Sequence, residues 1–198
     1  HDATVWQALI NIFKYAVVEV PFSIVFAVIL AVFLNRNMRG KSIYRTIFFL
    51  PMVAAPAAVA MVWRWLYNSE FGLLNHLLRL MGFSAANWLS NPSTAIYMVA
   101  VVGIWSSAGY NMIILLAGRQ GISKSYYEAA IIDGAGTITQ FFKITLPLLT
   151  PTLFFVSITA MISSFQVFDI IYMMIGKTSI ALESTQSLVM MFYRYAFE

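Results

Sequence analysis

Apolar residues run along this chain in long blocks rather than in alternating stripes. Residues 10–34, 43–66, 95–117 and 153–175 are dominated by Val, Ile, Leu, Phe and Ala, without the sustained period-2 pattern of a barrel strand. Each block reaches the ~20 residues that a helix needs to cross a bilayer. The pattern predicts four transmembrane helices, with a further amphipathic or spanning segment starting at 185–198. The expected fold is an all-α membrane protein, a polytopic helix bundle forming one domain over residues 1–198. The N-terminal HDATVWQ has neither an initiator Met nor a signal-peptide pattern. Together with the abrupt C-terminal end, it leads us to expect a chain truncated at both ends.

Charge sets the orientation. The first connection holds Arg36, Arg39, Lys41 and Arg45 and no acid, and the third adds Arg119, Lys124 and Lys143. The second offers only Arg79 opposed by Glu70. Basic connections stay on the cytoplasmic side, so the first and third face inward and the second faces outward. Within the second connection, Glu70 to Met81 places leucines at 73, 74, 77 and 78 before Gly82, which predicts a short helix lying in the outer interface. His76 stands there as a solvated histidine, with no second metal ligand beside it.

The third connection, 119–147, is the most structured. Ser125 and Glu128 have capping-box spacing, Ala129 and Ala130 favour a helix, and Gly134 falls where a left-handed cap would end it. A second short helix is expected from about Thr137, with Pro147 and Pro151 marking re-entry into the membrane. The prediction is a helix–turn–helix knob on the cytoplasmic face with small residues at its tip.

Glu128-Ala129-Ala130, Gly134 and Ile144-x-Leu146-Pro147 match all seven fixed positions of E-A-A-x3-G-x9-I-x-L-P. By these residues the chain resembles the permease subunits of ABC importers. RTIFFLPMVAAPAAVAMVWRWLYNSEFGLLN (45–75) and VFDIIYMM (167–174) are similar to the sugar-permease branch related to maltose-type transporters. The resemblance covers nearly the whole chain. It implies the helix bundle of a type I ABC importer permease and makes the 119–147 loop the coupling element. Glu128, Ala129, Ala130, Asp133, Gly134 and Pro147 are then the ATPase-coupling residues. It further implies a second permease subunit, two cytoplasmic ATPase subunits and an extracytoplasmic binding protein, in a bacterial or archaeal cytoplasmic membrane. The stretch IGKTSIALES (175–184) departs from the glycine-rich turn usual in this branch.

Polar residues at membrane depth line a cavity or join helices, the latter for ~0.6–2 kcal/mol each. In the third span Ser107, Tyr110, Asn111 and Ile114 share a helical face; the fourth carries Ser163, Ser164, Gln166 and Asp169. Neutral donors and acceptors beside aromatic faces suit a sugar, which nominates Trp105, Ser107, Tyr110, Asn111, Ser164, Phe165 and Gln166 as the substrate pathway. Interhelical bonding remains the alternative for the individual serines. Arg64 and Asp169, both near the outer ends of their spans, form a candidate gate pair. Glu19 lies about 14 Å into the first span, either paired within the bundle or on the pathway, with Lys14 one turn outward. Pro51 and Pro56 predict a kinked second span.

Composition narrows the classes. The chain is 61% hydrophobic and 10% charged, more apolar than a soluble domain of this size can cover. It has no cysteine, and both histidines fall outside the predicted spans, which disfavours a membrane-embedded enzyme. Gly176-Lys177-Thr178 resembles the end of a phosphate loop, but the full pattern needs a glycine where Ile171 stands. The expectation is a transport subunit with no cofactor or metal of its own and no nucleic-acid partner, ATP and magnesium residing on partner subunits. An ion-driven carrier, the alternative, calls for internal repeats that the sequence lacks.

Overall fold

The computed structural model describes residues 2–35, 40–176 and 179–197. Arg36, Arg39 and the Lys177-Thr178 pair lie outside them. The described chain is helical, with no strand. The elements are α1 (Asp2–Leu34), α2 (Lys41–Val53), α3 (Pro56–Leu66), α4 (Leu73–Leu80), α5 (Ala95–Gln120), α6 (Lys124–Ile132) and α7 (Thr137–Gln140). A π-turn, Phe141–Thr145, leads into α8 (Leu146–Phe165), followed by α9 (Asp169–Ile175), α10 (Leu182–Thr185) and α11 (Leu188–Phe197).

Helices α1 and α5 form the central pair. Small residues let them approach closely: Ala27, Ala31 and Ala108 are buried with Met112, Leu115 and Val156 in a core that takes in α8. A second core gathers Tyr15, Val99, Ala100, Ile171, Ile175 and Met190 around α9. Large apolar side chains such as Phe22, Ile29, Phe154 and Ile162 remain exposed on the outside of the bundle, as a lipid-facing surface requires.

Two predicted spans need correction. The kink expected in residues 43–66 is present and is sharp enough to part them into two helices, α2 and α3 meeting at a bend of 98°. Pro56 is the cause, because its ring drives the preceding residue out of helical geometry. Ala54 and Ala55 are accordingly extended, and Pro56 starts α3. Pro51 sits inside α2 and does not break it. The fourth span also shifts. Helical structure runs unbroken from Thr137 to Phe165, and 169–175 is a separate helix. Pro147 fails to interrupt it because the preceding turn widens, with the Leu146 amide bonding to the Phe141 carbonyl in i→i−5 register. That register accommodates a proline, which lacks an N–H and crowds the carbonyl four residues back. The chain breaks instead at Gln166–Phe168, and Asp169, favoured beside free helix-start amides, opens α9.

The short helix expected before Gly82 forms, as α4. Gly82 ends α4 at φ 83°, and the Phe83 amide closes back on the Leu78 carbonyl. Asn75 ties this outer segment together. Fully buried, it donates Nδ2 to the carbonyls of Asn68, Ser69 and Ala86 and accepts at Oδ1 from the Ala86 amide and Trp88 Nε1. Stranding buried donors and acceptors costs about 1–3 kcal/mol each. Asn75→Ala is therefore expected to make residues 68–88 cleavable by protease at the outer face while the bundle stays intact; unchanged protection would show that the segment holds without this hub.

Candidate coupling helix and membrane cavity

Helix α6 stands at the end of the bundle where α1 and α5 finish, joined there by Arg119 Nη1 donating to the Val32 carbonyl at 3.1 Å. None of its residues is buried. Its start differs from expectation: Ser123, not Ser125, is the cap, its Oγ accepting from the Ser125 amide at 3.3 Å. The helix begins at Lys124, two residues before the expected Tyr126, so the free first-turn amides lie within reach of Ser123. The end is as predicted. Gly134 adopts φ 75°, its amide bonds to the Ile131 carbonyl, and the Ala135 amide reaches the Ala130 carbonyl at 2.8 Å. This is a paired left-handed helix cap.

Around that cap, Glu128, Ala129, Asp133 and Gly134 are exposed and Ala130 is half-buried; Pro147 lies at the second position of α8. Ile131 and Ile132, the latter 86% exposed, and Ile138 on α7 are left uncovered. Such exposure on a water-facing knob marks an interaction surface. One side-chain bond ties the knob to the membrane helix: Tyr127 Oη pairs with Thr145 Oγ1 at 2.9 Å, and Thr145 is buried in the π-turn. Sequence inspection missed this link, since 18 residues separate its ends.

The bend between α2 and α3, the middles of α1 and α5, the end of α8 and the start of α9 line an open-sided cavity of about 580 Å³. Ser107, Tyr110, Asn111, Ser164, Gln166 and Asp169 all line it. Trp105 and Phe165 do not. Trp105 lies two residues, about 200° of helical turn, from Ser107, and packs edge-on against Trp63 at 5.6 Å. Phe165 is exposed on the outside of α8, beside rather than on the face that Ser164 presents. The candidate gate pair is not formed: among the described residues no ion pair joins Arg64 to Asp169, and both are exposed. Lys14 likewise faces out of the bundle, away from the Glu19 face.

Glu19 is 5% exposed and lines the cavity. Its Oε1 accepts from Ser107 Oγ at 2.9 Å across the α1–α5 contact. Gly103 makes room for the group, because a Cβ there would overlap the Tyr15 hydroxyl and stand 3.1 Å from Glu19 Cγ. Ser106 and Asn111 line the same space, and among the described residues neither Ser106 Oγ nor Asn111 Nδ2 has a hydrogen-bond partner.

Comparison with known proteins bears on the whole assembly of elements. Residues 23–197 match the family described as "Binding-protein-dependent transport system inner membrane component". The probable ABC transporter permease protein YesP of Bacillus subtilis (strain 168) is 40% identical over 173 residues, covering 86% of this chain and 55% of that protein. The trehalose/maltose transport system permease protein MalF of Thermococcus litoralis (strain ATCC 51850 / DSM 5473 / JCM 8560 / NS-C) is 34% identical over 171 residues, covering 86% of this chain and 58% of MalF. The chain thus spans little more than half the length of these relatives. Among solved structures, a bacterial ABC transporter involved in the import of the acidic polysaccharide alginate superposes with a TM-score of 0.87 at 23% identity, covering 98% of this chain and 68% of the other. That likeness shows the fold. By sequence match across most of its length, this chain belongs to the family of binding-protein-dependent transport system inner membrane components.

Proposed function

We propose that this chain is the membrane-spanning permease subunit of an ATP-driven importer that moves a sugar or related polyol by alternating access. The observation that carries the reading is the exposed, glycine-capped α6 knob with its uncovered isoleucines, attached to a spanning helix by a single polar link. In this reading a cytoplasmic ATPase covers Ile131, Ile132 and Ile138. Its nucleotide-driven closure pushes α6, and the push reaches α8 through Tyr127, Thr145 and the π-turn. The chain itself binds no nucleotide; ATP and magnesium belong to two ATPase subunits. A second permease subunit closes the other side of the pathway, and an extracytoplasmic binding protein delivers solute.

The mechanism requires two arrangements of the same helices whose balance shifts with nucleotide state. The 98° break at Ala54–Ala55 and the interruption at Gln166–Phe168 supply joints, and both border the cavity. Motion of α8 against α5 changes the cavity directly, since Ser164 on α8 and Asn111 on α5 both line it. Pathway residues in this reading are Ser107, Tyr110, Asn111, Ser164 and Gln166. Reconstitution tests it. Uptake of a labelled sugar into proteoliposomes is expected to require the ATPase subunits and ATP. Uptake that persists without any ATPase would support an ion-driven carrier instead.

A further inference from the structure

Besides the uncharged pathway residues, the cavity contains two carboxyl groups and two unsatisfied neutral groups. Glu19 lies roughly 22 Å along α1 from Leu34 and roughly 26 Å from Asp2, at ~1.5 Å per residue, so it marks the middle of the longest helix. Asp169, exposed at the start of α9, lines the same cavity. No Lys, Arg or His lines the cavity among the described residues. Asn111, 3% exposed, holds an unpartnered amide nitrogen there, and Ser106 an unpartnered hydroxyl. A buried donor without a partner carries a penalty that a ligand acceptor removes. The glycine at 103, which keeps space for Glu19 and Tyr15, indicates that the carboxylate is accommodated by design of the wall and not squeezed into it.

We infer that Glu19 is a specificity-determining residue, and that this cavity admits hydroxyl-rich neutral solutes while rejecting anionic ones. The inference rests on the importer reading above. A carboxylate accepts hydrogen bonds from solute hydroxyls, while the amide of Asn111 and the hydroxyl of Ser106 are donors suited to solute oxygens. A phosphate or uronate brought to the same place meets two carboxyl groups, one buried and one exposed, with no Lys, Arg or His among the described lining residues to offset them. Discrimination then comes from a built-in repulsion as much as from attraction. Ser107 has the supporting part: its hydroxyl fixes the orientation of the Glu19 carboxylate.

The test uses the complete membrane assembly, both permease subunits with their ATPases, in nanodiscs without the binding protein. Equilibrium binding is measured for maltose and trehalose against sn-glycerol 3-phosphate and an alginate oligosaccharide. A neutral sugar is expected to bind and the anions are not. Glu19→Gln is expected to weaken neutral-sugar binding by about tenfold to a hundredfold, the loss of a charged hydrogen-bond acceptor, and to narrow the neutral-over-anion gap. Ser107→Ala, which keeps the charge and loosens its orientation, is expected to weaken sugar binding while preserving rejection of anions. Co-purification of the ATPase reports that each variant is folded. Anions binding the parent as well as sugars do, no binding of either class, or a folded Glu19→Gln assembly with unchanged preference would each overturn the assignment. Failure of the importer reading shows separately, as an assembly that hydrolyses ATP yet moves no solute in the proteoliposome assay.

Discussion

Gly134→Asp is expected to abolish co-purification of the chain with the ATPase proposed as its partner while leaving insertion into the membrane intact. The site is open, with nothing within 4 Å of a Cβ at this position, so the effect does not come from a steric clash within the chain. Two other terms produce it. At φ 75° a side chain costs roughly 1–2 kcal/mol of backbone strain, which loosens the paired cap formed by the Ile131 and Ala130 carbonyls. The new carboxylate also joins Glu128 and Asp133 at the tip and must be desolvated under a docked protein, a penalty of several kcal/mol for an unpaired charge. Gly134→Asn separates the terms, since asparagine tolerates the left-handed region and carries no charge. Its association is expected to be weakened much less. Pull-down of the ATPase from solubilised membranes, with protease mapping for topology, reads both results. An Asp variant that retains its partner at the parental level would remove the coupling role from α6.

The contrast between the knob and the cavity explains which parts could be read in advance. Helix caps are local: Gly134 and Gly82 each sit at the end of a short amphipathic or alanine-containing run, and both adopt the left-handed geometry expected of them. The blocks at 10–34 and 95–117 became α1 and α5, extended at their ends, because hydropathy reports length well. Hydropathy does not report direction. The apolar run across 43–66 continues through Ala54 and Ala55 even though the helix axis turns by 98°, and only the proline at 56 hints at it. The fourth block was displaced for a related reason. Prolines at 147 and 151 signal a boundary locally, whereas the π-turn lets the helix run through.

Site residues failed or succeeded by the same logic. Ser107, Tyr110 and Asn111 were accessible to helical periodicity and share the cavity. Trp105 and Phe165 entered by residue type alone, and type does not fix the helix face. Glu19 was conspicuous as a mid-membrane acid, but its partner Ser107 is 88 residues away and no periodicity links them. The nearer cation, Lys14, is at a spacing of five, which places it off the Glu19 face. Long-range pairings of this kind arise only once α1 and α5 are packed.

That packing leads to the second large effect. Gly109→Leu is expected to prevent stable assembly, lowering the thermal midpoint of the purified complex sharply and shifting it to aggregates on size exclusion. A Cβ at 109 would overlap the Phe48 carbonyl oxygen and stand 2.7 Å from the Phe48 carbonyl carbon and 2.9 Å from Phe49 Cα. These are backbone atoms of α2, which cannot rotate aside as a side chain does. Overpacking in a close-packed interior typically costs ~1–3 kcal/mol, and a rigid backbone neighbour puts this site at the upper end. Gly118 provides the internal comparison. A Cβ there meets mainly the side chains of Thr152 and Leu149, which have freedom to shift, so Gly118→Ala is expected to be much milder. The consequence extends beyond stability. Helix α2 ends at the bend whose Pro51, Met52 and Ala54 form one rim of the cavity, while α5 carries Asn111 two residues beyond Gly109. Backbone contact at Gly109 therefore ties the α2 rim of the cavity to the α5 segment that carries Asn111. A Gly109→Leu complex with the parental midpoint would show that α2 does not rest on α5, and the cavity described here would lose its wall.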